Sequence, residues 1–205
     1  MKKTTKKQEI VTDIVFLLDR SGSMYDALDD TIAGFNNYID KMKKEKARVT
    51  TVLFDDRYEK IHDCVDIKDI KPLTREEYFT RGCTALLDAV GKTIHELDEK
   101  KREKVIFIIT TDGLENASTK YSKKQIKEMI EGHFNFEFIY LGTGIDSFAE
   151  GGSIGIKSSN ISNYKKSSRG IKSAFDSLCF ASEEIMYKGN LSEDWKVEIN
   201  KTLDE

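Results

Sequence analysis

Ile14-Val-Phe-Leu-Leu-Asp-Arg-Ser-Gly-Ser-Met24 opens with an apolar, branched run, Ile14 to Leu18, that reads as a strand buried on both faces. The run stops at Asp19. Ser21 and Ser23 follow at alternate positions, with Gly22 between them to allow a tight turn. Leu28, Ile32, Phe35, Ile39 and Met42 then recur at intervals of three and four, one stripe along a helix. A carboxylate and two hydroxyls therefore stand where a central strand hands over to a helix. In open α/β sheets, ligands bind just outside the carboxyl ends of the strands.

Working outward, Val49 to Phe54 is a second β-rich run. Asp55-Asp56 signals a turn, and Tyr58 to Val65 reads as a shorter strand returning antiparallel at an edge. Asp66 to Phe79 reads as a loop with a helical turn. Leu87, Val90, Ile94 and Leu97 mark another helix, with Gly82 to Thr84 in the loop before it. Val105 to Ile109 is a second fully apolar run, ending in Thr110-Thr-Asp-Gly113. Ser122 is placed to cap a helix running to about Gly132, with Ile126, Met129 and Ile130 inward. Phe136 to Leu141 is the next strand. Gly151-Gly152 reads as a break, Ile161 as part of a short last strand, and Ile171 to Tyr187 as the final helix. Trp195-Lys-Val-Glu-Ile199 alternates apolar and polar residues, which suits either an added edge strand or a docked extension. Alternating strands and helices argue for a mostly parallel, doubly wound α/β sheet with helices on both faces. The expected division is a flexible, solvated terminus over 1–9, one domain over 10–188 and an extension over 189–205.

Composition narrows the function. The chain has 205 residues, 39% of them hydrophobic, enough for one domain with a full core. Lys and Arg number 33 against 36 Asp and Glu, interspersed, which gives no footprint for a nucleic-acid partner. No apolar run approaches a membrane span. The Lys-rich start is followed by Glu9 and Asp13 rather than by a signal-peptide core. Cys64, Cys83 and Cys179 are scattered and odd in number, so they read as reduced thiols of a cytoplasmic protein. His62, His95 and His133 fall in no ligand spacing. Gly142-x-Gly144 lacks the third glycine of a dinucleotide fingerprint, and no phosphate-binding loop is present.

Three loops carry the candidate chemistry: Asp19, Ser21 and Ser23 from the first, Thr84 from the second and Asp112 from the third. If the strands bearing Asp19 and Asp112 are neighbours, the loops converge. Two carboxylates and three hydroxyls make a hard oxygen site, suited to Mg²⁺, or to Mn²⁺ or Ca²⁺, rather than Zn²⁺. The bland reading is that Asp19 and Ser23 cap a helix and Asp112 fills a turn. Asp88 reads as a helix-dipole residue or an outer partner of the site. Asp55 and Asp56 read as a hairpin turn rather than a second ion site, and Glu115 and Asn116, which follow Asp112 closely, as solvated loop rather than a rim of the site. Cys83 neighbours Thr84, yet nothing activates it.

Taken together, Asp19-x-Ser21-x-Ser23, Gly82-x-Thr84-x-Leu86 and Thr111-Asp112-Gly113 resemble the von Willebrand factor type A (vWA) domain. The resemblance runs from about Asp13 to Tyr187 and looks closest to stand-alone prokaryotic vWA proteins, some of them similar to parts of tellurium-resistance and other stress systems. It implies a Rossmann-like, six-stranded sheet with one antiparallel edge strand. It also implies a metal-ion-dependent adhesion site (MIDAS). There Ser21, Ser23 and Thr84 would offer hydroxyl oxygens, and Asp19 and Asp112 would bind directly or through water.

Two function classes follow. One is a binding module that presents a divalent cation to an Asp or Glu of a protein partner. The other is a Mg²⁺-dependent phosphatase or other hydrolase with Asp19 as nucleophile. Phosphatases of the haloacid-dehalogenase type carry a second Asp two residues after the nucleophile, and this chain has Ser21 there. No Gly-x-Ser-x-Gly elbow or well-placed His supports a serine hydrolase. No catalytic residue is assigned, and oligomeric state is left open.

Overall fold

The computed structural model describes residues 11–102 and 104–204; the expected flexible segment 1–9 lies outside them. Six strands form one sheet: β1 (Thr12–Asp19), β2 (Ala47–Phe54), β3 (Tyr58–Asp66), β4 (Val105–Thr111), β5 (Phe136–Gly142) and β6 (Ile161–Asn163), in the order β3-β2-β1-β4-β5-β6. β3 pairs antiparallel with β2 at one edge, and the other pairings are parallel. The reversal of strand order lies at β1, so the loops after β1 and β4 open into the same crevice.

The unbroken apolar run of β1 has a direct physical reason. Ile14, Phe16 and Leu18 point into one core, and Val15 and Leu17 into the other, all fully buried. Helices α1 (Leu28–Met42) and α5 (Ser168–Lys188) contribute to the first core, where Phe16 meets the rings of Phe35 and Tyr38 edge-on at 5.3 and 4.9 Å. Gly34 of α1 lets that helix approach α5 closely: a β-carbon there would sit 2.2 Å from the Phe175 ring. Helices α2 (Leu86–Glu99) and α3 (Lys123–Gly132) contribute to the second core. Ser122 and Gln125 form a capping box that starts α3.

Two expectations are corrected. Gly151-Gly152 does not break the chain but lies inside α4 (Ser147–Ser153). A β-carbon at Gly151 would come within 2.9 Å of Ile161 and 3.2 Å of Tyr140, so glycine brings this helix against the sheet. Nor is the helix ending near Tyr187 the last one. Gly189, at φ 80°, caps α5 in the left-handed conformation. A 3-10 turn over Glu193–Lys196 and α6 (Val197–Leu203) then follow. Of the two readings of the tail, the docked extension is the one found. Trp195 and Ile199 are buried, and the Trp195 indole N–H donates to the Ser159 carbonyl at 2.9 Å. Among the described residues, no helix is long and apolar enough to cross a membrane.

Candidate metal centre

Asp19 ends β1 and is fully buried at the top of the sheet. Its Oδ1 accepts the Ser21 backbone N–H at 2.7 Å, and its Oδ2 accepts the Thr111 hydroxyl at 2.5 Å. The Tyr78 hydroxyl donates to its carbonyl. Burial pushes the Asp19 carboxyl up to about 6; the Thr111 and Ser21 hydrogen bonds oppose that rise, and the nearby Asp112 charge adds to it. An anion is thus held where it is poorly solvated, which an adjacent cation would relieve.

The Ser21 and Ser23 hydroxyls lie 3.1 Å apart, and the Ser23 hydroxyl donates to Asp112 Oδ1 at 2.5 Å. Thr84 reaches the same place. A β-carbon added to Gly113 would meet Thr84 Oγ1 at 2.7 Å, Ser23 Oγ at 3.5 Å and Asp19 Oδ2 at 3.6 Å, the three nearest atoms apart from those of its chain neighbours. Oxygens from three loops therefore border one small space that Gly113 leaves open. The structure brings all five sequence-selected side chains together. Among the described residues, no group of three or more His, Cys, Asp or Glu could hold a metal. Any cation at this spot would depend on the hydroxyls, and the all-oxygen donor set fits a hard divalent ion.

Much of the scaffold is made by residues that read as bland in the sequence. Asn116 Oδ1 accepts the Thr84 N–H at 2.9 Å, and the Thr84 carbonyl accepts the N–H groups of Asn116 and Ala117 at 3.0 and 3.2 Å. The Glu115 carboxylate accepts the N–H groups of Leu87, Ala117 and Ser118, placing an anion at the start of α2. Glu115, half-buried, and Asn116, exposed as the solvated-loop reading expects, therefore also build the loop. Asp88 accepts the N–H groups of Thr119, Lys120 and Tyr121. Burial opposes its ionisation, but those three bonds outweigh it and hold the carboxyl below the usual range.

Arg20 and Asp55 form a buried pair beneath the centre. The β1–β2 register sets Asp19 opposite Phe54, so the next residues, Arg20 and Asp55, fall side by side. Arg20 Nε donates to Asp55 Oδ2 at 2.9 Å, with both side chains fully buried, and Arg81 Nε reaches the same oxygen at 2.8 Å. The Asp55 carbonyl accepts the Ala85 N–H at 2.9 Å, and the Arg20 carbonyl the Arg81 N–H at 2.9 Å. Burial opposes ionisation of Asp55, yet hydrogen bonds from Arg81, the Arg57 N–H and Arg20 hold its carboxyl below the usual range. Asp55 is a turn residue, as expected, through its bond to the Arg57 N–H at 2.6 Å. It also anchors the loop that carries Thr84. Lys166, from the turn between β6 and α5, places Nζ 2.8 Å from Asp112 Oδ2 and 2.6 Å from the Ser23 carbonyl. No sequence motif points to it.

The family model described as the von Willebrand factor type A domain matches residues 13–175. The chain belongs to the vWA family. Solved structures similar to this vWA domain include the type V pilus tip protein Mfa5 of Porphyromonas gingivalis, whose vWF domain aligns at TM-score 0.69 and 10% identity over 90% of this chain and 99% of that one. The PilB minor pilin of Streptococcus sanguinis aligns at TM-score 0.68 and 12% identity, covering 90% and 64%. Proximal thread matrix protein 1 from the mussel byssus, with a zinc-occupied MIDAS motif, aligns at 0.61 and 18%, covering 89% and 46%. This vWA domain thus spans less than half of the mussel chain and under two thirds of PilB. At such identities the likeness establishes the fold, a sheet of five parallel strands and one antiparallel strand with helices around it. No curated protein matches the sequence. vWA domains commonly bind a divalent metal at a MIDAS and mediate protein interactions.

Proposed function

We propose that this vWA domain binds a divalent cation through Asp19, Ser21, Ser23, Thr84 and Asp112 and presents it to a carboxylate of a protein partner. The observation that carries the reading is the space beside Gly113, bordered by Thr84 Oγ1, Ser23 Oγ and Asp19 Oδ2. Mg²⁺, Mn²⁺ and Ca²⁺ suit the oxygen donors, and zinc belongs in any comparison because the mussel protein's MIDAS holds it. When bound, the ion supplies positive charge that a partner's Asp or Glu completes. Ser23 is exposed, and Tyr25 and Leu114, 74% and 55% exposed, flank the first and third loops. Such apolar side chains around a polar anchor suit a protein partner. A cytoplasmic setting is part of the proposal, supported by three free cysteines. The hydrolase alternative gains nothing from the geometry: Asp19 is fully buried, and both its oxygens already accept hydrogen bonds.

The test of the metal half is calorimetric titration of Mn²⁺ and Mg²⁺ into wild type and ligand variants. For the partner half, proteins retained with Mg²⁺ should be lost with chelator and with Asp112→Ala. Identical retention in all three would contradict the metal-bridged mode.

A pH dependence follows from Asp19. Its folded carboxyl, at about 6, lies above its ordinary 3.8, so between these values the folded state binds the extra proton. The metal-free domain should therefore lose stability as pH rises from about 4 to about 6, on the order of 3 kcal/mol from this group. A proton and a cation compete for the same carboxylate, so Mn²⁺ affinity should fall below about pH 6. Urea melts in chelator at pH 4.5 and 7, compared with Asp19→Asn, check the sign: the variant should lack this contribution.

A further inference from the structure

Lys166 brings a fixed positive charge into the centre from outside the three motif loops. Its ammonium donates to Asp112 Oδ2 at 2.8 Å and to the Ser23 carbonyl at 2.6 Å. The Asp112 side chain is 3% exposed and that of Lys166 is 31% exposed, so the carboxylate is shielded and the ammonium is partly open to solvent. The two Asp112 oxygens are divided between partners, Oδ1 with the Ser23 hydroxyl and Oδ2 with the ammonium. Chain neighbours aside, the three atoms nearest a β-carbon built on Gly113 are oxygens, the third at 3.6 Å, so the ammonium stands further than that from this point.

We propose that Lys166 is a built-in counter-cation that sets the strength of metal binding; this rests on the metal reading above. The two carboxylates carry two negative charges, and Lys166 cancels one. Without a metal, the ammonium pairs with Asp112 beside buried Asp19 and offsets part of the negative charge gathered there. With a divalent ion bound, the same ammonium repels it at a separation shorter than the screening length of physiological salt. The summed charge of the loaded centre is then one positive, from two carboxylates, a divalent ion and Lys166. That leaves a charge for one partner carboxylate to neutralise. Lys166 also joins the start of α5 to the first loop, so its removal acts on the metal-free protein as well.

The experiment is calorimetric titration of Mn²⁺ at pH 7.5 into wild type, Lys166→Met, Lys166→Gln and Lys166→Arg, with thermal melts in chelator. The two neutral variants should bind Mn²⁺ at least about tenfold tighter than wild type, and should melt lower in chelator. Lys166→Arg, which keeps the charge, should stay near wild type. A purely structural lysine would lower the melting temperature without tightening Mn²⁺ binding. Unchanged or weaker Mn²⁺ affinity in both neutral variants, with wild type binding, overturns the counter-cation role alone. Failure of every protein to bind Mn²⁺ overturns the metal reading, and this inference with it.

Discussion

Asp55→Ala is expected to destabilise the domain by about 3–5 kcal/mol, the range for removing one partner of a buried ion pair. The Arg20 guanidinium is fully buried, and the variant would strip it of its buried carboxylate. What remains is partial: Glu59 Oε2 at 2.7 Å on a half-exposed side chain, the Glu77 carbonyl at 3.4 Å and the Phe79 ring at 5.3 Å. Arg81 would lose the same partner, loosening the loop that holds Thr84. Metal binding should therefore weaken along with stability, although neither Arg20 nor Asp55 borders the space beside Gly113. The control is Arg20→Met with Asp55→Leu, which removes both charges and should recover most of the loss. Urea denaturation measures both. A loss below about 1 kcal/mol for Asp55→Ala would mean that the pair is solvated rather than buried. Asp55 titrates below its unfolded value, so its contribution is present above the ordinary carboxylate range and fades as pH falls through the folded value.

Thr84→Val and Asp112→Asn should each weaken Mn²⁺ binding by at least about a hundredfold; losing even an outer-shell partner typically costs ten- to a hundredfold. Both substitutions keep side-chain shape. Thr84→Val removes one oxygen from the border of the Gly113 space, and Asp112→Asn removes one of the two carboxylates near it. At a Mn²⁺ concentration a hundred times its dissociation constant, wild type should gain about 2.7 kcal/mol, and the variants little at that concentration. Thermal melts with and without Mn²⁺ read this directly. An equal gain in wild type and Thr84→Val would place the ion elsewhere.

The parts of this molecule legible in its sequence are those in which one period dominates. The β1 run, the stripes of α1 and α2 and the β2–β3 hairpin each present a continuous signal, and the structure contains them within a few residues of the expected bounds. The five oxygen-bearing residues were visible because strand ends and short motifs mark them. Five residues, Trp195 to Ile199, were too few to separate a period of 2 from one of 3.6. Exposure of Val197 between buried Trp195 and Ile199 shows the helix. Gly151 read as a breaker because the Ile161 side chain that requires its small size is distant in sequence. Arg20 and Asp55, 35 residues apart, become partners only through the β1–β2 register. Lys166 reaches Ser23 across 143 residues, with nothing local to distinguish it from a solvated lysine.

Crystals of the wild-type domain soaked in Mn²⁺ and measured near the manganese edge test the metal centre most directly. An anomalous peak within bonding distance of Ser23 and Thr84, beside Gly113, is the expected result. Saturating Mn²⁺ with no peak there, or with its strongest peak away from these loops, would contradict it.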